Sequence, residues 1–517
     1  MKNDYVVKKV YHSFVMVSIL AVLTATAGML IDNIIVGQFL GTNALGAMGV
    51  VSPMGVIFSV IGSMFSSGGA AQAAQAVGRG DKEKLNRLFS VAILFAVLLS
   101  GIVMVIGMIF APQIAAVLGG RDELAVPATE YLRGYFLGAI PTIVLPTLNS
   151  FAKIDGSTKM PLISIAVMSV ADIILDLVMV LVFRQGMFGM ALATTLSYCI
   201  AVAVTLTHFT KKNRMLRFTV PKNIKEELGL IVSSGAATAI SRICITFETA
   251  IFNNLLAISV GAGAVAAMNV RTQTNNFIGS ITLGVSQALM PIAGMFFGEE
   301  DSNALKDAVR VTFKLGMILS ITAAVLLFLV APVFAKLLGV SDPEILDMAS
   351  IAVRVFAVGM PIQLINLVWM NFYQSTKRTG LATMICILEA FVYAILAALV
   401  LIRPLGSNGV WLAFLVGEVL TVVTLYIYVA YKNKKLLPGL SDFMLLDKNF
   451  GVEGKERWDL SIGNDMEQVM TLSDAITAEN SIPCGICMRA GTRRKKSWEY
   501  SLYLPCQINL STAGQSD

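Results

Sequence analysis

Residues 111–122 read APQIAAVLGGRD, and residues 331–342 read APVFAKLLGVSD. The two stretches lie 220 residues apart. The same spacing links GRGDKEKL at 78–85 to GEEDSNAL at 298–305, Pro141 to Pro361, and Met48 to Met268. A constant offset over most of a chain marks an internal duplication. Whatever unit the first copy builds, the second must build again.

Composition says what that unit is. Of 517 residues, 56% are hydrophobic and 14% charged, with a mean hydropathy of +0.75. Soluble domains are about 45–50% apolar and about 25% charged, so this composition belongs in a bilayer. About 20 apolar residues cross the hydrocarbon core as a helix. Runs of that kind fall near 13–35, 44–77, 88–110, 128–151, 160–183 and 188–210, and again near 228–258, 263–296, 309–331, 348–373, 380–402 and 407–431. Lipid offers no partner to an open strand edge, so these runs are predicted to be helices. The expected fold is all-α: 12 transmembrane helices in two pseudo-symmetric six-helix lobes, 1–210 and 228–435. A cytoplasmic linker, 211–227, joins them, and a short cytoplasmic tail, 436–517, truncated or partly disordered, follows.

The net charge of +6 does not point to nucleic acid, because the basic residues sit in short loops between apolar runs. One set of loops carries 22 basic residues, while the opposite set carries only Arg121, Arg184, Lys336 and Arg403. Positive loops stay inside, which predicts a multi-pass protein of a cell membrane, bacterial in type, with both termini cytoplasmic. Two histidines, His12 and His208, exclude a histidine-rich metal site. Cys199, Cys244 and Cys386 lie inside apolar runs and read as buried thiols. The first apolar run continues into others and reads as a retained span, not a cleaved signal.

Two parallel repeats place a pseudo-two-fold axis along the membrane normal, with a cavity between the lobes near the midplane. That is transporter architecture, not that of an enzyme. The chain has no G-x-x-x-x-G-K-[ST] pattern, so it carries no P-loop for ATP. The expected partners are a small-molecule substrate and the lipid bilayer, with the monomer as the working unit and no resident cofactor beyond a coupling ion, H+ or Na+.

Residues 29–41, MLIDNIIVGQFLG, hold a carboxylate inside an apolar run. Intramembrane acids are expensive and face a bundle interior or a watery cavity. Gly28, Ala25 and Ala21 share the helical face of Asp32, and small residues let another helix approach. In the fifth run, Asp172 and Asp176 are spaced i, i+4 on one face, with Ser169 a turn back. Acids so close, and desolvated, favour a protonated form, which suits proton uptake and release; three acids with polar neighbours also suit a hard cation such as sodium. Adding 220 to Asp32, Asp172 and Asp176 gives Phe252, Val392 and Leu396, so these acids have no mirror images.

The second half is polar in its own way. Ser234, Thr238, Ser241 and Glu248 form one stripe in the seventh run. The eighth opens AAMNVRTQTNNF, too polar to face lipid throughout. Glu248, Asn253, Asn269, Arg271, Gln273 and Asn276 are therefore expected to line the substrate cavity, with Glu389 and Glu418 as further intramembrane acids, structural or cavity-lining. Acids and many Met and Phe side chains would suit amphipathic organic cations.

The stretch IDNIIVGQFLGTNALGAMG, Pro53, the GRGDKEKL loop, and DIILDLVMVLVFRQGMFGMALATTLS together resemble the multidrug and toxic compound extrusion (MATE) family over roughly residues 10–435. The resemblance implies a cation-coupled antiporter that exports organic compounds by alternating access. It implies that Asp32 and Asp176 contribute to the cation site of the N-terminal lobe. Asp172 stands where the family more often has asparagine, and Glu248 is set like the seventh-span glutamate of the sodium-coupled branch. Two other functions are weighed: a lipid-linked saccharide flippase of the same superfamily, and a membrane sensor signalling through its tail. Within that tail, DFMLLDKNFGVEGKERWDLSIGNDMEQVMTLSDAIT resembles the start of an anti-sigma-type kinase-like ATPase domain, and the resemblance stops near Glu479. Cys484 and Cys487 form a lone C-x-x-C, which is no zinc site.

Overall fold

The computed structural model describes residues 15–446 and Phe450, apart from 17–18, 21–23, 25–27, 29–30, 33–34, 119–121, 158, 211–213, 221–222 and 339–341. The N-terminal lysines, His12, Ala21, Ala25, and the tail beyond Leu446 other than Phe450, with most of the kinase-like stretch and the C-x-x-C, lie outside the described residues.

The described part of the first span, from Val15 to Ile35, is helical (α1) and ends in a π-turn, Val36–Leu40. There follow α2 (Thr42–Gly78), α3 (Lys82–Val117), α4 (Ala125–Leu137 and Ala139–Ile154), α5 (Lys159–Val182) and α6 (Gly186–Phe209). The second half has α7 (Ile224–Ser259), α8 (Ala262–Phe277 and Gly279–Gly298), α9 (Ser302–Leu337), α10 (Pro343–Ser375), α11 (Thr379–Leu405) and α12 (Ser407–Asn433). Among the described residues, ten helices are long and apolar enough to cross a membrane, and the two segments of α4 make an eleventh span. With α1 the fold is the twelve-helix bundle the repeat requires.

The duplication is written into the backbone. The ends of α2 and α3 recur 220 residues on as those of α8 and α9. Asp81 and Asp301 cap α3 and α9 alike, each accepting from backbone N–H groups of the first turn, a contact worth about 1 kcal/mol. Gly41 and Gly261 take the same positive φ, 87° and 120°, where the chain reverses after α1 and after α7. A side chain would be strained there. The copies are not identical: α8 is interrupted at Ile278 where α2 is continuous, and α4 departs further. The two segments of α4 meet at 46° around Gly138, although the sequence reads there as one continuous span; α10, with Val358 at that position, runs straight through. Pro141 and its mirror Pro361 each remove a helical N–H; α4 differs from α10 in Gly138 and in a second proline, Pro146, where α10 has Asn366.

Among the described residues, the lobes meet at the end that carries the Asp81 and Asp301 loops and the linker. A side chain added at Gly68 would collide with the backbone of Ile231, and one at Gly235 with that of Met64. Gly78 touches Met295, and Gly298 touches Gln75. Helix backbones approach this closely only at glycine. Among these contacts run cross-lobe hydrogen bonds: Gln72 Nε2 donates to Ser234 Oγ (2.6 Å), Gln75 Nε2 to the Ser375 carbonyl (2.7 Å), and Gln374 Nε2 to Ser67 Oγ (3.2 Å). Toward the opposite end, Gly49 and Ser52 of α2, Asn254 of α7, and Ala266 and Asn269 of α8 are exposed. The described linker residues lie on the first lobe. Asp155 Oδ1 accepts from the backbone of Met215 and Leu216, its Oδ2 pairs with His208 Nε2 at 2.9 Å, and Arg217 and Thr219 donate to Asn86 and Ser90. Cys244 and Cys386 are buried as expected, but Cys199 is exposed. Apolar composition cannot separate a lipid-facing position in a span from a core one.

Candidate functional site

Asp32 of α1 and Asp176 of α5 face each other inside the first lobe, their carboxyl groups within hydrogen-bonding reach. Close approach at the small residues brings α1 and α5 together: Gly28 lies against Ser169, whose hydroxyl donates to the Thr24 carbonyl at 3.4 Å. Two carboxylates present only acceptors to each other. Among the described residues, no donor reaches either oxygen of the fully buried Asp176 or Oδ1 of Asp32. A single proton held between them would turn the contact into a hydrogen bond. Asp172, one turn back, is satisfied differently: Ser197 Oγ donates to it at 2.9 Å, and the Thr194 hydroxyl lies beside it. Tyr131 and Tyr198 lie within electrostatic range of the acids, and Tyr135, near both, stacks on Phe58 at 4.8 Å. Both acid-bearing helices widen into a π-turn just beyond the acid, Val36–Leu40 after Asp32 and Val178–Val182 after Asp176. Such turns insert an extra residue and concentrate at functional sites. Among the described residues, no three acids, histidines or cysteines converge tightly enough to hold one metal ion.

The second lobe gathers Glu248, Arg271, Glu389 and Glu418 from α7, α8, α11 and α12. The Glu389 and Glu418 carboxyls touch, and Asn366 Nδ2 donates to Glu418 Oε2 at 2.7 Å. The Arg271 guanidinium does not extend to the membrane surface. It sits 3.1 Å above the Phe414 ring, within electrostatic range of Glu248 and Glu418. Beside it is a cavity of about 20 Å³, room for about one water, lined by Phe356, Trp411 and Phe414. Subtracting 220 from Glu248, Glu389 and Glu418 gives Gly28, Ser169 and Tyr198. The second cluster thus occupies, within a turn, the place in its lobe that the aspartates occupy in theirs.

The other expected cavity residues are scattered. Asn253 and Gln273 are half-buried, Asn269 and Asn276 exposed, and Asn276 Nδ2 donates to Gln273 Oε1 at 3.1 Å. The stripe on α7 divides: Ser234 and Thr238 bond Gln72 and Gln374 at the lobe contact, while Glu248 joins the acids. Sequence reasoning passed over Thr194, Ser197 and the three tyrosines. The polar pair in ATTLSY, inside an otherwise apolar run, was the available signal.

Parallel six-helix repeats with unpaired acids buried in the membrane-spanning helices define a membrane transporter. The profile of the MatE family matches residues 18–178 and 237–400, more than half of the chain. The chain belongs to that family. It is 24% identical over 414 residues to the multidrug export protein MepA of Staphylococcus aureus, covering 79% of this chain and 90% of MepA. Its fold is similar to the crystal structure of the Vibrio cholerae MATE transporter VcmN, with a TM-score of 0.78 at 18% identity, over 85% of this chain and all of that one. It is also similar to a MOP-superfamily transporter of Pyrococcus furiosus, with a TM-score of 0.77 at 18% identity, over 84% of this chain and 98% of the other.

Proposed function

We propose that this protein is an antiporter that exports organic, cationic or amphipathic compounds across the cell membrane, coupled to inward movement of a cation. The name of the MepA relative supports multidrug export as the activity. The observation that carries coupling is the facing Asp32–Asp176 pair, in which neither Asp176 oxygen nor Asp32 Oδ1 meets a donor among the described residues. Losing the shared proton leaves two facing anions in a medium of low dielectric, where repulsion is strong. That repulsion favours another arrangement of α1, and the π-turn beyond Asp32 is a place where the helix can give. Of the two candidate ions, the proton suits this pair better: one proton satisfies it, and the acids do not converge as metal ligands do. The sodium alternative would recruit Asp172 and the Thr194 hydroxyl as further oxygen ligands.

The end where the lobes touch, with its basic loops, is the cytoplasmic side, and both termini lie there. The cleft is then open outward, and alternating access closes it by rocking one lobe on the other. Glu248, Asn253, Asn269, Arg271, Gln273 and Asn276 are the substrate-facing set, and the monomer is the working unit.

Reconstituted vesicles with an imposed proton or sodium gradient test the assignment. The wild type should drive uptake of a fluorescent organic cation under a proton gradient. Asp32→Asn and Asp176→Asn should fold but lose gradient-driven transport, and Glu248→Gln should raise the KM for substrate. Normal coupled transport by Asp32→Asn would end this reading.

A further inference from the structure

The two lobes differ sharply at one pair of helices. In the first lobe, Gly134 and Gly138 let α4 pack tightly on α6: a side chain at Gly134 would press into Ala191 and the Phe188 carbonyl, and one at Gly138 into Thr195. Adding 220 converts Gly134 and Gly138 to Arg354 and Val358, and Ala191 and Thr195 to Trp411 and Leu415. Both helices thus carry larger side chains at these positions, and a Cβ at Gly359 of α10 would still lie 3.7 Å from Leu415 of α12. A groove of about 230 Å³ lies between α9, α10 and α12. Phe328, Ile351, Val358 and Leu412 line it together with Arg354, and Val355 and Leu415 divide it from the cavity beside Arg271. Its rim is apolar and exposed, with Val325, Leu329 and Val358 all more than half exposed. On a membrane-spanning helix such a surface meets lipid.

An arginine in this setting is costly unless it finds an anion. Arg354 has none from the chain: among the described residues no carboxylate pairs with it, its Nε is buried without a hydrogen-bond partner, and its nearest electrostatic contact is the Phe328 ring at 5.7 Å. Depth adds a second constraint. With 33 residues, α10 is about 50 Å long and overruns a hydrocarbon core of about 30 Å by roughly 10 Å at each end. Arg354 lies about 16 Å along the helix from Pro343, a few Å below the core boundary, where a phosphate can reach it.

We infer that this groove binds an anionic phospholipid of the surrounding bilayer, its phosphate on Arg354 and an acyl chain along Phe328, Val358 and Leu412. Only this lobe has the site, because the glycines of the first lobe close the equivalent space. The occupant abuts Val355 and Leu415, the shared wall of the inner cavity.

Native mass spectrometry of the full chain, released from detergent containing phosphatidylglycerol, phosphatidylcholine or dodecanoic acid, tests the inference. One phosphatidylglycerol should stay bound in preference to phosphatidylcholine. Arg354→Gln should weaken its retention about tenfold, the loss of one charge-assisted hydrogen bond, while Arg354→Lys should hold within about threefold by keeping the charge. Val358→Trp, which leaves the charge and fills the groove, should also release the lipid, so the test survives if Arg354→Gln does not fold. Equal retention by wild type and Val358→Trp, equal retention of phosphatidylcholine, or a preference for free dodecanoic acid would each overturn it.

Discussion

At the scale of single residues, the acids of the first lobe are held in opposite ways, and the difference is measurable. Asp172 has a donor in Ser197, whereas Asp176 has none among the described residues. Ser197→Ala should therefore destabilise the protein by about 1–2 kcal/mol, because it strips a buried acceptor of its partner. Asp176→Asn should do the reverse. Its amide brings an N–H donor to face Asp32, so thermal stability in detergent should rise by roughly 1 kcal/mol while coupled transport is lost. A fall in stability for Asp176→Asn would mean the carboxylate has a partner that this arrangement does not supply. The acids themselves were legible in the sequence, because an intramembrane charge stands out against apolar neighbours. Their tyrosine and hydroxyl surroundings were not: Tyr131, Tyr135, Thr194 and Ser197 sit on other helices, and only packing brings them near the acids.

At the scale of elements, the contact of α2 with α7 and α8 rests on missing side chains. Gly235→Ala puts a methyl group against the Met64 backbone. Backbone cannot move aside as a flexible side chain can, so the cost should be about 1–3 kcal/mol. Single cysteines introduced along the buried face of α2 should label faster in the variant. Glu299, just past the end of α8, adds a pH dependence to the same seam. Burial, and then the nearby Asp301, push its carboxyl up from 4.5 to about 7. A group whose pKa is higher folded than unfolded stabilises the fold while it is protonated, and that contribution fades as pH rises. Thermal stability should thus decline from about pH 4.5 to about pH 7, and Glu299→Gln should flatten the decline. The helices and their duplication were readable from hydropathy and the 220-residue offset. The kink at Gly138 and the seam were not, since a glycine in an apolar run looks the same whether it faces lipid, bends a helix or admits another backbone.

At the scale of the whole molecule, two rigid lobes that touch at one end imply that the cost of rocking is concentrated in the contacts made there. Gln374 is their hub. Its Nε2 donates to the Ser234 carbonyl (2.6 Å) and to Ser67, its Oε1 accepts from Thr238 (3.0 Å), and it is fully buried, so one side chain ties α10 to α7 within its lobe and to α2 across the boundary. Gln374→Leu keeps the bulk and removes these bonds. The bonds to Thr238 and Ser234 lie within one lobe, and Ser67 Oγ keeps its bond to the Ser63 carbonyl (2.7 Å), so what the closed seam loses is the one cross-lobe bond from Gln374 to Ser67, about 0.5–1.5 kcal/mol. A loss of that size shifts a two-state equilibrium roughly two- to twelvefold. Spin labels on the loop after α2 and on the loop before α11 should then report a second, longer distance that the wild type populates weakly, and transport should slow while substrate affinity holds. The same single distance in both proteins would place the hinge elsewhere, and the closed seam would rest on the contacts that remain there: the glycine contacts of α2, α7 and α8, the Gln72 and Gln75 bonds, and the Arg87–Glu227 pair at 2.6 Å.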